Sequence, residues 1–210
     1  MFGIENYFCF LAAGILFSLT PGPDLFYIIS RSISQGTQAG VLSVLGVSTG
    51  AIGHTLLAAF GLSVILTTSA TLFFIVKIAG AFYLTYLGIM LIKSPARVSV
   101  ETHPNEINIS LRKIYFQGVV TNLLNPKVAL FFLAFLPQFV QSGSGYGPLP
   151  FLLLGGTYVA TGALCCCLLA FGAGKTTTLL RRNGRVQASL QKLTGFLFIG
   201  FGIQLAFAHS

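Results

Sequence analysis

Thr20-Pro21-Gly22-Pro23-Asp24 interrupts an otherwise apolar run from Tyr7 to Ile29. Each proline removes a backbone donor and blocks the helical turn before it, and Gly22 loosens the chain between them. The helix is predicted to stop near Thr20 and restart at Pro23. Inside lipid, irregular backbone survives only where it is buried in protein or lines a wet cavity, so the break itself predicts a site. In the second half of the chain Leu124-Asn125-Pro126-Lys127 repeats the grammar: Pro at the first helical position, an Asn suited to cap it, and an ionisable residue next. Aligning Pro23 with Pro126 sets Asp24 opposite Lys127.

The composition around these breaks belongs to a membrane. Of 210 residues, 54% are hydrophobic, only 8% are charged and none is tryptophan, which marks an integral membrane protein. The net charge of +8 does not indicate nucleic acid, because the basic residues sit in short loops between apolar spans and form no clustered face; the bilayer is the partner. Cys9 lies in the first span and Cys165, Cys166 and Cys167 are consecutive in the fifth, a spacing that suggests neither a disulfide framework nor a metal finger. The N-terminus carries Glu5 in place of a basic start, so the first span is expected to be retained.

Six apolar spans are drawn, at 7–29, 41–66, 72–92, 115–140, 149–172 and 193–208. Sustained apolar runs without alternation exclude a β-barrel, so the fold class is an all-α integral membrane protein. Arg31 is assigned to the connection after span one, Lys93, Arg97, Arg112 and Lys113 to that after span three, and Lys175, Arg181, Arg182, Arg185 and Lys192 to that after span five. The connections 67–71 and 141–148 hold no basic residue. This alternation places both termini outside and the basic loops in the cytoplasm.

Three spans per half make the halves inverted: 1–92, a cytoplasmic linker 93–114, and 115–210. Lys77-Ile78-Ala79-Gly80 matches Lys192-Leu193-Thr194-Gly195, and Leu56-Leu57-Ala58-Ala59-Phe60-Gly61 resembles Leu168-Leu169-Ala170-Phe171-Gly172, in the order a repeat requires. Gly46, Gly50, Gly53 and Ser43 form a small-residue face for close helix packing, within the bundle or between subunits.

A central ionisable residue costs about 2.5–3.5 kcal/mol on insertion scales, so each needs a partner or a function. Asp24, in the first turn of the restarted helix, is a candidate to take up a proton or bind a substrate ammonium group. Lys127 is either its salt-bridge partner or a substrate contact. His54, in span two, is a packing residue or a proton-pathway member. Lys77, near the end of span three, is expected to snorkel. Two half-helices starting near the midplane would aim free N–H groups at one cavity, a seat for a carboxylate. With Asp24 this matches both ends of a zwitterion, an amino acid.

The chain resembles the lysine exporter (LysE/RhtB) superfamily, particularly its homoserine/threonine efflux branch. The resemblance rests on Ser18-Leu19-Thr20-Pro21-Gly22-Pro23-Asp24, on Gly80-Ala81-Phe82-Tyr83-Leu84-Thr85-Tyr86-Leu87-Gly88, and on Thr121-Asn122-Leu123-Leu124-Asn125-Pro126-Lys127 running to Phe135-Leu136-Pro137-Gln138-Phe139. It implies a bacterial inner-membrane exporter of neutral or small polar amino acids, driven by the proton gradient without a cofactor. Six helices in two inverted halves and homodimers are also implied. The family's motif positions fall on Pro21, Gly22, Pro23, Asp24, Asn125, Pro126 and Lys127.

Two alternatives compete with an amino-acid exporter. A transition-metal exporter would converge Asp24, His54 and Cys165–Cys167 as ligands. A thiol redox membrane protein would want a cysteine beside each break, and none stands there.

Overall fold

A computed structural model of the chain describes residues 2–62, 64, 70–93, 109–141, 145–172 and 184–207. These residues form helices α1 (Tyr7–Leu19), α2 (Pro23–Gln35), α3 (Thr37–Leu57), α4 (Ala70–Lys93), α5 (Leu111–Leu123), α6 (Pro126–Leu130), α7 (Leu149–Phe171) and α8 (Gly184–Phe207). A π-helical turn, Ala58–Leu62, continues α3. A second, Phe131–Phe135, continues α6 into a 3₁₀ turn, Leu136–Phe139. Among the described residues the single β feature is an isolated bridge between Ile4 and Val140.

The first break falls as the prolines dictate. α1 ends at Leu19, Thr20 turns extended, and Gly22, also extended, caps α2 with Pro23 at its first position. The α1 and α2 axes bend by 54°, and α5 and α6 with its continuation bend by 48°. Asn125 caps α6 through its side chain, which accepts from the Lys127 N–H at 3.0 Å. This bond replaces a donor–acceptor pair that the broken helix gives up.

Among the described residues two helices, Thr37–Leu62 and Leu149–Phe171, are long and apolar enough to cross a membrane alone, and counting each bent pair as one span raises the number to four. α4 and α8 run 24 residues each, around the shorter apolar stretches Ile78–Lys93 and Lys192–Ile203.

Several expected boundaries move. α8 begins at Gly184, not near residue 193, so Arg185 and Lys192 lie on the helix and not in a connection. α2 extends to Gln35, which puts Arg31 on the helix, buried at 6% exposure. Arg112 and Lys113 occupy the first turn of α5, and Lys93 closes α4. Hydropathy ended these spans at the first charge, but backbone hydrogen bonding continues through charged residues until a cap stops it. For α2 the stop is Gly36, whose φ of +82° suits glycine and turns the chain into α3. Lys77 lies on α4 with its side chain outside the described residues, as do Arg97, Lys175, Arg181, Arg182 and most of the linker.

The small-residue face on α3 is used inside the chain. A Cβ on Gly46 would collide with the Tyr115 carbonyl, one on Gly50 would come within 2.7 Å of Asn122 Cβ, and one on Gly118 within 3.0 Å of the Ser43 carbonyl. α3 and α5 therefore pack nearly backbone to backbone, the geometry small residues permit in lipid. α4 and α8 do the same at Gly88 and Gly195.

Two apolar clusters flank the breaks. One is aromatic: Phe10, Phe17, Phe131, Phe135, Phe139, Phe151 and Phe198 are all buried in it with Tyr158. Phe17 stacks on Phe131 at 4.4 Å between ring centroids. The other is smaller, comprising Leu25, Ile28, Ile29, Val44, Cys166 and Ala170.

Candidate functional site

Between these clusters lies a cavity of about 50 Å³, walled by α1, α2, α3, α5, α6 and α7. Its polar lining comprises Ser18, Thr20, Asp24, Ser48, Asn122, Asn125, Lys127 and Tyr158, and much of the remainder is aliphatic, including Leu25, Ile28, Val44, Val47 and Val159. At roughly 10–15 Å³ per water by this measure, it holds a few waters and no amino acid.

Of the residues singled out from sequence, Gly22, Asp24, Asn125 and Lys127 line this cavity. Pro21, Pro23 and Pro126 shape the breaks without lining it. His54 stands one layer back, 7% exposed, with Nε2 3.2 Å from the Asn122 carbonyl and its ring 5.8 Å from that of Phe132. That contact requires the proton on Nε2, where it donates to the carbonyl.

Asp24 sits one position into α2 and is held by α5. Asn122 Nδ2 donates to Asp24 Oδ2 at 2.8 Å. Asp24 Oδ1 and Asn122 Oδ1 are both buried and have no hydrogen-bond partner. An unmet buried acceptor costs about 1–3 kcal/mol, more when charged, so this corner of the cavity calls for a proton, a water or a donor ligand.

Lys127 does not pair with Asp24. Its ammonium donates to the carbonyls of Phe17 (3.2 Å) and Thr20 (3.1 Å), at the end of α1, and lies 4.2 Å from the centroid of the Phe17 ring. Pro21 explains the need. A continuous helix would bring the N–H of residue 21 to the Phe17 carbonyl, and proline has none. Lys127 supplies the donor from across the cavity. The lysine stem runs beside Gly22, where a Cβ would lie in ordinary contact, 3.5 Å from Lys127 Cδ and Nζ. Thr20 adds a second tie, its hydroxyl donating to the Leu16 carbonyl at 2.7 Å and lying 2.9 Å from the Thr194 hydroxyl on α8.

Sequence reasoning assigned no role to Asn122, Thr20 or Tyr158, and weighed Cys166 only as a ligand in the metal-exporter alternative, although all four line the cavity. Asn122 carried a usable signal: an amide in an apolar helix, one turn before the second break. Cys166 faces the cavity, while Cys9 is exposed and Cys165 and Cys167 are half-buried, all as free thiols. Among the described residues no three His, Cys, Asp or Glu side chains come together. Asp24, His54 and the cysteines thus do not form the convergent donor set that a metal exporter needs.

Paired helix breaks around a partly unsatisfied polar cavity, in a chain of long apolar helices, define a multi-pass helical membrane protein. The chain belongs to the LysE type translocator family, whose sequence model matches residues 15–209. It is 28% identical to the leucine efflux protein of Salmonella typhimurium over 213 residues, which cover 100% of this chain and 98% of that one. It is 30% identical to an uncharacterized membrane protein of Pseudomonas aeruginosa, covering 98% and 97%. With an uncharacterized membrane protein of Vibrio cholerae the identity is 31%, covering 99% of each. No solved structure matches.

Proposed function

We propose that this protein is a secondary-active exporter of neutral amino acids across the bacterial inner membrane, driven by the proton gradient and using no cofactor. The observation that carries the reading is the pair of unpartnered oxygens, Asp24 Oδ1 and Asn122 Oδ1, buried at a cavity between two helix breaks. The carboxylate takes up a proton or a cargo ammonium group. The N-terminal ends of α2 and α6 offer positive dipole ends to a cargo carboxylate.

The aliphatic lining supports a leucine-like side chain over the threonine or homoserine that the family branch suggested, in keeping with the relatives named for leucine efflux. The chain is proposed to cross six times as two inverted halves, 1–92 and 115–210, joined by a cytoplasmic linker at 93–114, and to form homodimers. The close approaches of α4 and α8 support the inversion. The Gly88–Gly195 and Ala81–Gly202 approaches set α4 antiparallel to α8, as the third and sixth spans of inverted halves require. The basic ends, with Arg31 and Lys113, face the cytoplasm.

Efflux from proteoliposomes loaded with labelled leucine, threonine and homoserine, with a proton gradient and then with a protonophore, tests this. Leucine export that stops when the gradient collapses supports the reading. Export unchanged by the protonophore removes the proton, and a folded protein that moves no amino acid removes the cargo.

A further inference from the structure

We infer that the carbonyls of Phe17 and Thr20 form a binding subsite for a primary ammonium group, and that Lys127 is the internal occupant a cargo ammonium displaces. The inference rests on the amino-acid reading of the cavity for the identity of the cargo, but the subsite itself is argued from geometry alone.

Four observations converge on it. Both carbonyls lie at the end of a helix that Pro21 has stopped: the Phe17 oxygen accepts from the Thr20 N–H at 3.2 Å and keeps a second lone pair for another donor, and the Thr20 oxygen lacks the donor a continuing helix would bring. Both accept from the same nitrogen, Lys127 Nζ, at 3.2 and 3.1 Å, under the face of the Phe17 ring at 4.2 Å. Two carbonyls and an aromatic face make a cage that suits a –NH₃⁺ group, with its compact charge and directed N–H bonds. Finally, Lys127 occupies this cage although a carboxylate with an unpartnered oxygen lines the same cavity. An ion pair with Asp24 would have been the simpler use of the lysine. Its absence leaves Asp24 open to other donors while the carbonyls are filled.

The geometry gives a displacement sequence. The lysine stem and ammonium form part of the cavity wall beside Gly22, so the cavity cannot enlarge on that side until Lys127 leaves. An entering amino acid presents an ammonium group to Phe17 O and Thr20 O, in the place that Lys127 vacates. The displaced lysine ammonium then meets the cargo carboxylate, which enters on the same molecule. Charge balances: one ammonium replaces another on the carbonyls, and the second ion pair forms with the cargo. Cargo lacking either group completes half the exchange.

The test fills the cage from solution. Lys127→Ala empties it without altering either carbonyl. Thermal unfolding of the purified full chain in detergent is followed with methylammonium or tetramethylammonium, the latter carrying the same charge without N–H donors. The expected result is a saturable upward shift of the Lys127→Ala midpoint by methylammonium, none by tetramethylammonium, and none for wild type, whose cage is occupied. Equal shifts from both ions, or no shift from either, overturn the subsite. Lys127→Met, which keeps the stem against Gly22, gives the same reading if the alanine variant does not fold. If neither variant folds even with methylammonium present, Lys127 is a strut and the exchange is wrong. This assay uses no amino acid, so its failure is separate from failure of the efflux assay. With leucine as the labelled cargo, methylammonium should also restore at least part of the efflux lost in the Lys127→Ala variant.

Discussion

The amide of Asn122 donates to the carboxylate of Asp24 at 2.8 Å, joining the residue one turn before the second helix break to the residue one position after the first. The two breaks are thus held by one side-chain bond on the α5 side and by Lys127 on the α6 side. Each break repairs the other.

Replacing Asn122 by Leu keeps most of the volume and removes the donor. The Asp24 carboxylate then loses its 2.8 Å donor, and the loss of a hydrogen bond to a charged group should cost about 1.5–3 kcal/mol. The expected outcome is a lowered unfolding midpoint together with a large loss of efflux. A midpoint equal to wild type would mean that the bond contributes nothing to holding the breaks together.

Asp24→Asn preserves shape and can still accept from Asn122, but it carries no proton. Gradient-driven leucine efflux should fall by at least about tenfold, equivalent to ~1.4 kcal/mol, while exchange of labelled for unlabelled leucine across the same vesicles persists. Gradient-driven efflux that survives intact assigns the proton to another group.

Gly46→Ala drives a methyl group into the Tyr115 carbonyl and against Gly118 Cα at 3.1 Å. Neither neighbour is a flexible side chain, so the overpacking should cost about 1–3 kcal/mol. Gly156→Ala, on the exposed side of α7 with nothing within 4 Å of the new carbon, is the matched control and should be neutral or slightly stabilising. Comparing the two unfolding midpoints in detergent checks the α3–α5 contact.

Cys166 offers a native probe of the cavity. In a protein with Cys9, Cys165 and Cys167 replaced by Ser, a small maleimide should react at Cys166 only as the cavity opens, block efflux, and react several-fold more slowly when leucine is bound. Labelling indifferent to cargo would place the leucine elsewhere.

The breaks themselves were legible in the sequence because proline acts locally: Pro21, Pro23 and Pro126 fix where a helix can run whatever surrounds them. The partners across the breaks were not. Lys127 was weighed as a partner for Asp24 because opposite charges suggest an ion pair, yet it is bound by two backbone carbonyls, and a sequence shows no carbonyl as special. Asn122 lay inside a quoted motif and still passed without a role, since an amide carries no charge to arouse suspicion. Arg31 was set in a loop by its charge, although α2 carries it into the protein interior. His54 was weighed between packing and the proton pathway, and the structure seats it behind Asn122, away from the cavity wall.

The two apolar clusters differ in size and composition, and the difference gives the cavity a direction. On the side of the Ile4–Val140 bridge, stacked phenylalanines from α1, the α6 continuation and α8 must separate before anything passes. Toward the end carrying Arg31, the barrier is a handful of branched aliphatic side chains, an alanine and the Cys166 thiol. Rotamer changes in a few small groups are quicker and cheaper than parting a column of interlocked rings. The two sides of the cavity are therefore unequal doors. In the orientation proposed above, the light door opens toward the cytoplasmic pool of cargo and the heavy one toward the side of release.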